Sequence, residues 1–201
     1  MWKVCSLALF VVLINPLTAL AQQNGGVQKP AVNLPATPRD GQRDFDFEVG
    51  TWNIHLKRLV NPLSHSSQWI EFDGKSVTRK VWDGRSQLEE FVTDGPTGRV
   101  EGLTLRLYNP RTGQWSLYWA NSKDGAMGGP PNVGVFKDGV GNFYCQDTYK
   151  GEVVLVKYEW SKITPNSAHF EQSYSENGGK TWEVNWITDQ TRVKDVADQT
   201  R

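Results

Sequence analysis

From Thr51 onward the apolar positions of this chain recur with a period of two rather than 3.6. Short runs rich in Val, Ile, Tyr, Trp and Thr alternate with turn signals, which is the pattern of half-buried strands. It predicts strands at about 51–59, 67–73, 76–82, 87–93, 101–108, 114–121, 132–137, 141–148, 152–160, 167–174 and 181–191. Between them stand explicit breakers, among them Asn61-Pro62, Asp73-Gly74, Asp83-Gly84, Asp138-Gly139 and Asn177-Gly178-Gly179. Asp-Gly and Asn-Gly supply the positive-φ residues that tight hairpins need. Gly128-Gly129-Pro130-Pro131 reads as a long turn at one end of the structure. No stretch carries a helical face, although Phe45–Val49 suits a single helical turn before the first strand. A meander of about ten or eleven strands with short connections closes on itself, because closure removes its exposed edges. The expected fold is all-β, an antiparallel barrel.

The N-terminal pattern is different. Lys3 precedes an apolar run from Leu7 to Ile14, Pro16 ends the run, and Ala19-Leu20-Ala21 places small residues at a cleavage site. This is the plan of a cleavable secretory signal over residues 1–21, too short in its apolar core for the ~20 residues that span a bilayer. The expected location is therefore periplasmic or secreted. Residues 22–43, rich in Pro, Gly, Gln and Asn, read as a flexible leader, 44–193 as one β-barrel domain, and 194–201 as a polar tail.

Composition narrows the function classes. Lys+Arg and Asp+Glu are both 22, with no basic stripe, so nucleic acid is not an expected partner, and no later segment is apolar enough to span a membrane. Of the two cysteines, Cys5 falls in the signal, which leaves Cys145 without an intramolecular disulfide partner. Cys145 lies in a strand-like stretch without a local basic neighbour and reads as a small buried thiol. Nine tryptophans, only Trp2 of them in the signal, imply a thick aromatic core or an aromatic-lined cavity.

Asp44-Phe45-Asp46-Phe47-Glu48-Val49-Gly50-Thr51-Trp52 is the most distinctive local pattern. It suits a plug at one barrel end, with Gly50 allowing the sharp turn into strand one and Trp52 pointing inward. Together with Leu105-Arg106-Leu107-Tyr108-Asn109-Pro110, Trp115-Ser116-x-Tyr118-Trp119 and Gly178-Gly179-Lys180-Thr181-Trp182-Glu183-x-Asn185-Trp186, this segment resembles a bacterial family of calycin-like β-barrels, the domain of unknown function 1579 group. The resemblance spans roughly 44–193 and implies a lipocalin-like or nitrobindin-like barrel. It implies no reaction and no catalytic residues. Ser175-x-Asn177-x-Gly179-x-Thr181-Trp182 also resembles the Asp-box of sialidases. The motif occurs once and the chain lacks a convincing carboxylate pair for glycosidase chemistry, so it reads as a hairpin turn.

The candidate chemistry centres on Arg106. If Pro110–Gly113 is a four-residue hairpin loop, Tyr108 pairs with Trp115, and period two puts Thr104, Arg106, Tyr108, Trp115, Leu117 and Trp119 on one face. A guanidinium framed by three aromatic rings suits a carboxylate or a flat polar ligand. An Arg lying along the outside, or one buried against a structural carboxylate, stays open as an alternative. Arg106, Tyr108, Trp115 and Trp119 are thus the candidate ligand-binding residues. The histidines His55, His65 and His169 show no metal-ligand spacing, so no metal site is expected. His55 is expected to face away from Trp52, Ile54 and Leu56, and His65 to be solvated in a turn. His169, on a late strand, is the one histidine that could ligate a haem iron from inside a barrel. No cofactor is assigned. The expected partner is a small, partly apolar molecule held in the barrel. The alternative is an isomerase-, hydratase- or cyclase-like enzyme using the same cavity, with His169, Glu171 or Tyr118 as acid or base. Whether the chain is an enzyme, and its oligomeric state, stay open at this point.

Overall fold

A computed structural model describes residues 39–193; the expected signal (1–21), most of the expected leader (22–38) and the expected tail (194–201) lie outside the described residues. Ten strands follow one another: β1 Gly50–Leu59, β2 Trp69–Val81, β3 Ser86–Gly95, β4 Gly98–Asn109, β5 Gln114–Asn121, β6 Ala126–Lys137, β7 Val140–Tyr149, β8 Glu152–Ser161, β9 Ser167–Ser175 and β10 Glu183–Arg192. Each pairs antiparallel with its sequence neighbours, and β1 pairs with β10 from Trp52↔Arg192 to Arg58↔Trp186, closing the barrel. The expected antiparallel meander barrel is the fold observed.

Two breakers proved to be strand interior. The predicted strands 67–73 and 76–82 are one strand, β2, running straight through Asp73-Gly74. Gly74 is there because β3 comes too close for a side chain: a Cβ would sit 2.0 Å from the Val92 carbonyl oxygen. Gly128-Gly129-Pro130-Pro131, expected to be a turn, lies within β6, which starts at Ala126 rather than 132. The last strand starts at Glu183 rather than 181. Between β9 and β10 the Asp-box-like segment is a side-chain-stapled hairpin turn. Asn177 Oδ1 accepts the Thr181 N–H at 2.9 Å, and Ser175 Oγ accepts the Gly179 N–H at 2.9 Å.

The N-terminal segment stops one end of the barrel. Residues Asp46–Glu48 form a 3₁₀ turn, and Gly50, at φ 118°, makes the bend into β1. Phe45 is fully buried, with its ring edge-on to Trp115, Phe136 and Trp160 at 5.2, 4.9 and 5.3 Å. Burying such a ring contributes roughly 1.5–3 kcal/mol, with edge-to-face pairing adding to it. Residues assigned to the leader also join this plug. The Gly41 N–H donates to Tyr108 Oη at 2.8 Å, and the Gly41 carbonyl accepts from Trp115 Nε1 at 2.9 Å. A second core cluster, Trp52, Ile54, Leu56, Phe72, Phe91 and Val100, fills the wall on the β1–β4 side.

Candidate functional site

Period two decides which side chains meet inside. Inward positions on β4 and β5 are Thr104, Arg106 and Tyr108 opposite Trp119, Leu117 and Trp115, the face expected from the loop length. Above the plug these side chains leave a cavity of about 980 Å³, open at the end formed by the β1–β2 connection and the start of β6. That volume falls within the range typical of small-molecule sites. Its walls mix aromatic rings, with Phe91, Trp119, Tyr158, Trp160, Phe170 and Trp186 prominent, and polar side chains such as Asn132, Gln172, Asn185 and Gln190. Gly102 makes room for the Trp119 ring, since a Cβ there would lie 1.8 Å from it.

The floor is charged and buried. Arg106 is 1% exposed and donates from Nη2 to Glu89 Oε2 at 2.6 Å. Its Nε and Nη1 have no partner among the described residues. The guanidinium lies over the rings of Phe45 and Trp160, at 5.1 and 5.8 Å. Beneath it Glu48, fully buried in the plug, accepts from Trp160 Nε1 at 2.8 Å through Oε1, while Oε2 is unpartnered among the described residues. Burial raises the Glu48 carboxyl to about 7, and the negative Glu89 adds to the rise while the Arg106 charge opposes it. One cation thus faces two carboxyl groups, of which Glu48 is poised near neutrality. Both the cavity-facing and the carboxylate-paired readings of Arg106 hold together.

The four sequence-selected residues divide. Arg106 and Trp119 line the cavity. Tyr108 and Trp115 share their face but lie lower, engaged with Gly41 and the plug rather than the open space. Of the acid–base candidates, His169 and Glu171 are outside the barrel. His169 Nδ1 meets Asp189 at 2.6 Å and Nε2 meets Glu171 at 3.0 Å. An iron inside the barrel is therefore out of reach of His169. Burial pulls the His169 pKa down, but the hydrogen bonds to Glu171 and Asp189 outweigh it, and the net shift is upward. His55 likewise faces outward, 2.9 Å from Asp73. Tyr118 pairs with Leu105 in the outward register and touches the cavity wall beside an irregularity in β5–β6 pairing. Cys145 also lines the cavity, half-buried, with its thiol pushed up to about 11, chiefly by burial and then by Asp147, so it stays protonated.

Sequence reading missed Glu48 and Glu89. Glu89 lies two residues from both Gln87 and Phe91 on β3, so period two would have turned it inward with them, but nothing in the sequence marks its pairing with Arg106. Glu48 sits in the recognised plug motif, yet its burial depends on how deep the plug goes.

None of the family models compared matches the chain, and no curated protein does. Solved structures with the same architecture include the S-type phycobiliprotein lyase CPES from Guillardia theta, at 14% identity with a TM-score of 0.54, covering 79% of this chain and 96% of that one. Rv2717c from M. tuberculosis is similar at 12% identity with a TM-score of 0.52, covering 77% of this chain and 98% of that one. At these identities the similarity establishes a shared barrel fold.

Proposed function

We propose that this protein is an exported barrel that binds a small, partly apolar molecule in its interior, and that it belongs to the domain of unknown function 1579 group its motifs resemble. The observation that carries the binding reading is the cavity of mixed aromatic and polar wall with Arg106 at its floor, two of whose nitrogens have no partner among the described residues. Buried guanidinium N–H groups are costly to leave unpaired, so a ligand acceptor seated there is stabilised by more than in water. A carboxylate, sulfonate or ring carbonyl on a flat aromatic body fits both floor and walls. The proposed export rests on the N-terminal signal pattern.

The test is fluorescence titration with anilinonaphthalene sulfonate, an aromatic anion. Arg106 and Glu89 are replaced together, Arg106→Gln with Glu89→Gln, so that neither buried charge is left without the other. Binding to the wild type that weakens on the order of tenfold in the folded double variant supports the assignment. Unaltered affinity removes Arg106 from it. A second reading, catalysis in the same cavity, is favoured by one observation: Glu89 is an ionisable group beside Arg106 on a cavity that opens to solvent. Turnover of a bound molecule, lost in Glu89→Gln with binding retained, would distinguish it.

A further inference from the structure

Two irregularities in the barrel's pairing each bring a carboxamide to the cavity. On β10 the register with β9 passes from Val184↔Ser173 to Trp186↔Gln172, so Asn185 is an extra residue in the ladder. Period two would turn only one of the neighbours Asn185 and Trp186 inward, but the bulge lets both line the cavity. Between β5 and β6 the pairing slips from Leu117↔Asn132 to Trp119↔Gly128. Asn132 stands at the edge of that bulge, also on the cavity wall.

Both amides are buried yet incomplete. Asn185 is 2% exposed and Asn132 4%. Gln172 Nε2 donates to Asn185 Oδ1 at 2.7 Å, which fixes the plane of the Asn185 amide and leaves Nδ2 without a partner among the described residues. Asn132 Oδ1 likewise has no partner among them. Gln190, at the floor beside Glu48, repeats the pattern with its Oε1. Buried polar groups in folded proteins are nearly always hydrogen-bonded, and an orphan costs free energy that a bound group returns. Besides the Arg106 donors, the cavity thus carries an orphan donor at Asn185 and orphan acceptors at Asn132 and Gln190.

Rings shape the space between these groups. Trp119 on β5 and Trp186 on β10 stand five strands apart whichever way round the barrel is counted, and their centroids meet across it at 6.4 Å. Phe91 closes against both, at 5.9 and 6.2 Å. At that level the open space lies on the β6–β9 side, between the two indoles and Tyr158, Phe170 and Tyr174. Asn132 stands at one margin of it, on β6, and Asn185 at the other, on β10. Rings on the faces and amides at the margins suit a flat body that is itself polar around its edge.

A plain hydrocarbon ring would leave these amides orphaned. The complement of a carboxamide is a ring edge on which C=O and N–H groups stand side by side. We propose that the body of the ligand is a fused nitrogen heterocycle with cyclic amide or imide groups, its carbonyls accepting from Asn185 and Arg106 and a ring N–H donating to Asn132. This rests on the cavity-binding reading above and names the ligand class.

The experiment titrates the protein with three aromatic probes, read by tryptophan quenching. Lumichrome is a fused imide heterocycle with ring N–H groups. Its 1,3-dimethyl derivative keeps the rings and carbonyls but has no N–H, and anilinonaphthalene sulfonate has no ring amide. The wild type should bind lumichrome on the order of tenfold tighter than the dimethyl derivative, the yield of one or two net hydrogen bonds. Asn132→Leu keeps the size of the side chain and removes the acceptor, so the ratio should fall close to one while naphthalene sulfonate affinity stays unchanged. Asn185→Leu is the second variant should the first fail to fold; it should weaken both lumichromes on the order of tenfold and keep their ratio. Three results overturn the heterocycle and leave the cavity reading to naphthalene sulfonate: lumichrome bound no tighter than its derivative, a ratio that survives in folded Asn132→Leu, or undiminished lumichrome affinity in folded Asn185→Leu. A surviving ratio would come from the bulk of the methyl groups rather than from the amide. Failure of all three probes to bind counts against the cavity reading, and the heterocycle falls with it.

Discussion

Replacing Glu48 with glutamine should make this protein more stable at alkaline pH and leave it nearly unchanged at acid pH. The side chain is fully buried in the plug, and its carboxyl rises from an ordinary 4.5 to about 7. Between those values the folded state holds a proton that the unfolded state has released. Stability therefore falls as pH rises from about 4.5 through 7 and levels off above it. At about 1.4 kcal/mol for each pH unit, the displacement corresponds to a loss of about 3 kcal/mol. In the Glu48→Gln variant the amide keeps an oxygen to accept from Trp160 Nε1 and has no proton to lose. Urea unfolding followed by tryptophan fluorescence at pH 5 and pH 8 gives the comparison. The variant should gain about 3 kcal/mol over the wild type at pH 8 and differ little at pH 5. A difference that is the same at both pH values would refute the reasoning, because a purely steric effect of the substitution has no reason to follow pH.

Three further outcomes are expected. Arg106→Ala alone, which leaves Glu89 buried and unpaired, should cost about 3–5 kcal/mol, most of it recovered when Glu89→Leu is added; a double-mutant cycle in urea measures the coupling. Gly102→Ala should cost about 1–3 kcal/mol and shift tryptophan emission, because the new Cβ must displace the Trp119 ring; an unchanged melting temperature and spectrum would contradict that packing. His169→Gln should destabilise the folded state at pH 6 and lose its effect as pH rises above the elevated His169 value, since the protonated ring holds Asp189 and Glu171; equal destabilisation at pH 6 and pH 9 would contradict it.

The barrel was legible because alternation and hairpin turns are local. Tyr108↔Trp115 followed from one loop length, and the inward face of β4 and β5 followed from that. Glycine was the main source of error. Asp73-Gly74 has the composition of a hairpin turn, but Gly74 is selected by the approach of Val92, a residue of another strand that no local pattern reveals. Gly129-Pro130-Pro131 has the composition of a loop, yet it bulges within a strand still paired to β5 on both sides of the bulge. The site was half legible for the same reason. Arg106 and Trp119 follow from alternation within one hairpin, whereas the Glu89 contact needs the β3–β4 register and the Glu48 contact needs the depth of the plug. Tyr108 and Trp115 were placed on the correct face, but their height relative to the plug depends on Phe45 and Gly41, far away in sequence.

That the cavity above Arg106 holds a small molecule is tested most directly by native mass spectrometry on protein produced in and purified from a natural-like host. The expected result is a stoichiometric adduct on the folded wild type that leaves on denaturation and carries an aromatic body with an acceptor group. The same adduct should be absent from the folded Arg106→Gln, Glu89→Gln variant. An adduct held equally by that variant would contradict the role of Arg106. A folded wild type that carries no adduct and binds none of the aromatic probes would contradict the binding reading itself.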